Sequence, residues 1–68
     1  MDEAAIIKYR LENTLRRLAR EIEAWTELSQ RPENKDVKLW CEGHADAYRD
    51  MLADFQRTYG EFKGKVSA

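Results

Sequence analysis

Apolar residues fall at Leu11, Leu15, Leu18, Ile22 and Trp25, at spacings of four, three, four and three. That is the seam of an amphipathic helix. A second apolar face comes after the chain's one proline: Val37, Trp40, Cys41, Ala47, Tyr48, Met51, Leu52, Phe55, Tyr59 and Phe62. Two such faces joined by a short polar turn predict an all-α protein, an antiparallel helical hairpin of two long helices.

The local signals set its boundaries. Asp2 is placed to cap helix 1, and Glu3 sits in the first turn near the positive helix end. Strong helix formers continue from there without Gly or Pro, so helix 1 is predicted over about residues 2–30. Pro32 disfavours helical geometry at Arg31 and removes a donor, which ends the helix there. The turn is expected over about 31–35, with Asn34 or Asp36 capping helix 2. Helix 2 is predicted over about 36–60. Gly60 would supply the residue past the helix end that tolerates a left-handed conformation. Phe62 would fold back on the last turn, and residues 61–68 would be a loose tail. At 1.5 Å per residue the helices come to roughly 40 and 37 Å, so they can pair along most of their length.

Length makes partnership an issue. Sixty-eight residues form one domain at most. Below about 70–80 residues a chain seldom buries enough apolar surface to be stable alone. One cysteine permits no internal disulfide, and one histidine is a poor start for a zinc site, so no cofactor is expected. Oligomerisation remains. Helix 2 is apolar on two adjacent rows. One holds Trp40, His44, Ala47, Met51 and Phe55, the other Cys41, Tyr48, Leu52, Phe55 and Tyr59. One partner helix covers only one row, so a monomer would leave an aromatic patch in water. We therefore expect a homodimer in which two hairpins form a four-helix bundle, with Trp40, His44, Ala47, Tyr48, Met51, Leu52, Phe55 and Tyr59 as its interface. The other occupant of that face would be a different protein. Gly43, inside helix 2, fits close approach of a partner backbone.

Charge narrows the function classes. Twelve basic residues face thirteen acidic ones, for a net charge of −1, which argues against a strongly basic nucleic-acid binder. Mean hydropathy is −0.81. No apolar run is long enough to span a membrane, and the N-terminus lacks a signal-peptide pattern. A cytoplasmic protein with no membrane association is expected. Seven aromatics and 43% apolar residues are too many for a disordered chain.

Two charged rows are candidate contact surfaces. On helix 1, Arg10, Arg17 and Arg20 project with Asn13 away from the seam, flanked by Arg16 and Tyr9. That pattern suits RNA phosphates or an acidic partner. Pairs such as Glu12–Arg16 and Arg17–Glu21 would instead make it an ordinary solvated face. On helix 2, Glu42, Asp46, Asp50 and Asp54 recur every four residues, and Arg49 and Arg57 stand near enough to compensate in part. The row is a candidate contact for a basic partner. Cys41-x-x-His44 would make Cys2His2 only across a dimer axis, and no pocket is implied that would support Cys–His catalysis. Trp25 and Trp40, near the turn end of each helix, are expected to stack across the hairpin.

The length, the two-helix layout and the stretch Cys41-Glu42, His44-Ala45-Asp46, Tyr48-Arg49 and Phe55 resemble the Rop family of small plasmid-encoded RNA-binding regulators, with a register shift. The resemblance implies a dimeric four-helix bundle that binds RNA through helix 1. None of that family's binding residues aligns onto this helix 1, so it assigns no site.

The expected role is that of a small non-enzymatic protein–protein interaction module: an adaptor, regulator or inhibitor. The alternatives are a Rop-like RNA-binding regulator using Arg10, Asn13, Arg16, Arg17 and Arg20, and an assembly or scaffolding subunit.

Overall fold

The computed structural model describes residues 2–67. Two helices, α1 (Glu3–Gln30) and α2 (Lys38–Ser67), pack antiparallel and are joined by a 3-10 turn over Pro32–Val37. The hairpin is a rod of 50 × 20 × 11 Å. Its radius of gyration is 15.6 Å, against about 11 Å for a compact domain of this length. Among the described residues no helix is long and apolar enough to cross a membrane.

The start of α1 agrees with the capping expectation. Asp2 is extended, and its carboxylate accepts from the Ala5 N–H at 2.7 Å. The helix ends where Arg31 turns extended before Pro32, at φ −76° and ψ 130°. The entry to α2 differs from the expected one. Neither Asn34 nor Asp36 caps α2, because the 3-10 turn runs straight into it. Lys38 is already helical, and its N–H donates to the Lys35 carbonyl. Asn34 reaches back instead and donates from Nδ2 to the Leu28 carbonyl at 3.0 Å, sharing that acceptor at the end of α1 with the Arg31 N–H at 3.4 Å. On the same side Arg31 bonds Glu27 at 2.7 Å. That hydrogen bond, and then the carboxylate's charge, raise the Arg31 pKa.

The far end of α2 is a second correction. The helix does not stop near Tyr59. It continues to Ser67, so the expected loose tail is helical as far as residue 67, and Ala68 lies outside the described residues. No glycine has positive φ, so Gly60 is an interior helical residue. The cause is the apolar pattern: Phe62 lies three residues past Tyr59, continues the seam and is half-buried. Packing of that turn outweighs the roughly 1 kcal/mol that a helical glycine costs. A Cβ at Gly60 would meet nothing within 4 Å. Gly60→Ala should therefore stabilise the fold by about 1 kcal/mol and raise the melting temperature by roughly 4–8 °C. Thermal denaturation followed by circular dichroism checks this; a lower melting temperature would mean that the helix ends at Gly60.

The seam itself has a 3.5-residue period on both helices. On α1 it is Leu11, Leu15, Leu18, Ile22, Trp25 and Ser29. On α2 it is Cys41, Ala45, Tyr48, Leu52, Phe55, Tyr59 and Phe62. Alternating steps of four and three keep one stripe of each helix turned to the other. Yet among the described residues only Leu18, Cys41 and Ala45 are buried apolar residues, at 8%, 3% and 2% exposure. The other apolar seam residues are half-buried, as expected when two helices have only each other. Ser29 is also buried, its hydroxyl donating to the Thr26 carbonyl at 2.7 Å. Among the described residues one side-chain hydrogen bond crosses between the helices, from Arg49 Nη2 to Thr26 Oγ1 at 3.2 Å.

Candidate functional site

One flank of the hairpin is built differently from the other. Trp40, His44, Ala47 and Met51 fall at spacings of four, three and four on α2, one step round the helix from the seam. Because α1 covers the seam, this row borders open solvent. Trp40 is 59% exposed and Met51 44%.

At the turn end three rings cluster. His44 stacks on Trp25 of α1, with centroids 4.5 Å apart and planes 15° apart. Trp40 stands edge-on to both, at 5.2 Å and 80° from Trp25 and 4.3 Å and 71° from His44. These are the offset and edge-to-face geometries that ring quadrupoles favour. The two tryptophans thus do meet across the hairpin, as expected, with His44 as a third member. The Trp25 indole N–H donates to Glu21 at 3.2 Å. Against the cluster lies a shallow depression of about 300 Å³ lined by Trp40, Gly43, His44 and Ala47. A Cβ on Gly43 would meet nothing within 4 Å, so nothing within the hairpin requires glycine there.

Further along the same flank a groove of about 340 Å³ opens between the helices. Thr14, Arg17, Leu18 and Glu21 form its α1 side, and Tyr48, Met51 and Phe55 its α2 side. The eight residues expected to form one interface are therefore divided. Trp40, Ala47 and Met51 are exposed on the flank and His44 is half-buried beside them, whereas Tyr48, Leu52, Phe55 and Tyr59 are half-buried along the seam. Sequence reasoning misses Ala45 because alanine is weakly apolar, although its place in the four–three spacing of α2 marks it.

The charged rows also differ from their expected form. Neither Glu12–Arg16 nor Arg17–Glu21 is among the ion pairs of the described residues. Arg16 donates to Asn13 instead, at 2.5 Å, and Glu21 is taken by Trp25. Arg10, Arg17 and Arg20 are exposed and have no carboxylate within 4.0 Å among the described residues. Arg17 does not stand opposite the seam with Arg20; it edges the groove. The acidic row is mostly answered on its own helix. Glu42 pairs with Lys38 at 3.9 Å, Asp46 with Arg49 at 2.8 Å and Asp54 with Arg57 at 2.5 Å. Asp50 is in no such pair among the described residues. All three pairs are solvent-exposed and add little stability.

Cys41 and His44 point to different places. The thiol is buried in the seam, and the imidazole lies between the two indoles. Among the described residues no three His, Cys, Asp or Glu side chains cluster so as to hold a metal ion.

Compared with known proteins, the chain matches no protein-family model, no curated protein and no solved structure.

Proposed function

We propose that this chain is a non-enzymatic protein–protein interaction module. In its working form two copies pair along the open flank as a four-helix bundle, and the charged outer faces are left for a partner protein. The observation that carries the reading is the uncovered apolar row Trp40–Ala47–Met51 beside an apolar groove.

Surface area supports it. The hairpin exposes 5439 Å², about 1,000 Å² more than area scaling gives for a compact protein of 8.0 kDa. By the same scaling, merging two hairpins into one compact body would bury roughly 3,500 Å² in total, within the range of obligate homodimers. Gly43 supports it too, since a glycine that costs helix stability and meets nothing within the hairpin suits close approach of a second backbone.

A second reading is favoured by Arg10, Arg17 and Arg20, which lack carboxylate partners among the described residues. Free guanidinium groups along one helix suit the phosphates of an RNA.

Light scattering after size exclusion, across a dilution series, tests both readings. A mass of two chains, about twice 8.0 kDa, is expected at micromolar concentration. A folded single chain would overturn the dimer and turn attention to another protein on the same flank. Nucleic acid absorbance travelling with the peak and lost in high salt would favour the RNA reading.

A further inference from the structure

We infer that the second copy docks antiparallel, with its turn at the opposite end of the bundle and the two grooves facing each other across a twofold axis. This deepens the homodimer proposed above and rests on it.

The distribution of charge along the rod carries the inference. The groove joins residues 14–21 of α1 to 48–55 of α2, so the middle of the rod lies near Leu18 and Met51. The half away from the turn, residues 2–18 and 51–67, holds seven basic and five acidic residues, net +2. The half with the turn, residues 19–50, holds five basic and eight acidic residues, net −3. The chain's near-zero net charge thus hides a strong dipole along a 50 Å rod. Two hairpins with their turns at the same end would set +2 against +2 and −3 against −3. Reversing one hairpin sets each positive half against a negative one. Interfaces use such complementarity to fix register and orientation.

The apolar residues of the flank agree. Trp40 lies eleven residues from Met51 towards the turn, and Ile7 lies eleven residues from Leu18 away from it. At 1.5 Å per residue each is about 16 Å from the middle, on opposite sides. Ile7 precedes the groove residues Thr14 and Glu21 by seven and fourteen residues, so it shares their face of α1. It is 45% exposed. A twofold axis across the groove, perpendicular to the rod, stacks each helix on its own copy and brings the Trp40 of each chain level with the Ile7 of the other, diagonally across the bundle. Each such pairing occurs twice, as an isologous interface requires.

A spin label on Lys35→Cys tests this. Lys35 is exposed in the turn, and the native Cys41 is buried, so unsubstituted protein serves as the blank for labelling. Pulsed dipolar spectroscopy on the dimer fraction should give a label separation near the length of the rod, 50 Å. A separation below roughly 25 Å, the width of a four-helix bundle with helices about 10 Å apart, would put both turns at one end. That result overturns the antiparallel arrangement and leaves the dimer standing, as would a mixture of long and short distances. A single-chain mass for the labelled protein overturns both.

Discussion

Met51→Glu should split the dimer into single chains. Met51 is 44% exposed and lines the groove at the middle of the rod. In a lone hairpin a carboxylate there reaches water at little cost. In the bundle the two copies would bring two carboxylates close to the twofold axis and away from water. Burying a charge without a partner costs several kcal/mol, and like charges side by side add to that. A cost of about 3 kcal/mol already weakens the dimer more than 100-fold. Light scattering should report a mass near 8.0 kDa where the parent chain gives twice that. Helix content should fall as well, because among the described residues only Leu18, Cys41 and Ala45 are buried apolar residues in the hairpin alone. Phe55 is a poorer position for this test: it is half-buried on the seam, so a charge there attacks hairpin and dimer together. A variant that keeps the mass of two chains would show that Met51 is not at the interface.

The hairpin was readable because its apolar spacing is redundant. Leu11 to Trp25 marks α1 without help from any other signal, and Pro32 marks its end. What failed were the single-residue signals at the two ends of α2, whereas Asp2 and Pro32 do bound α1. Gly60 is a stop signal only where the apolar period also ends, and Phe62 carries the period past it. Asn34 is a common helix cap, but here the 3-10 turn runs straight into α2 and Asn34 joins the Arg31 N–H on the Leu28 carbonyl instead. The site was legible in part for a similar reason. Sequence showed that α2 has more apolar surface than one helix can cover. It did not separate the seam residues Tyr48, Leu52, Phe55 and Tyr59 from the open row of Trp40, Ala47 and Met51, because the two rows differ by one step round the helix. The ion pairs expected on α1 failed because a carboxylate four residues away had competitors. Trp25 claims Glu21, and Asn13 answers Arg16. Helical spacing makes a pair geometrically available, but it does not select among partners.

Leu18→Ala should cost the fold about 2–3 kcal/mol and lower the melting temperature by roughly 10–20 °C. Leu18 is the one leucine of α1 that α2 buries, at 8% exposure, and it lies against the groove with Tyr48 and Phe55. Removing three of its carbons deletes their transfer energy and opens a void. Buried leucines lose about 2–5 kcal/mol in this way. The lower half of that range applies because the groove already opens beside Leu18, so water or a shifting Met51 can fill part of the space. The effect is still large for a chain of this size, where an entire core rarely supplies more than about 3–5 kcal/mol. Leu39→Ala is the matched control. It removes the same carbons from a side chain that is 82% exposed, so stability should stay within about 0.5 kcal/mol. Denaturant unfolding of both variants, at one protein concentration because a dimer's stability depends on it, decides the matter. If the two substitutions cost the same, Leu18 is not in the seam, and the register of α1 against α2 is wrong. If Leu39→Ala alone is costly, the covered surface lies on the turn side of α2, away from the groove.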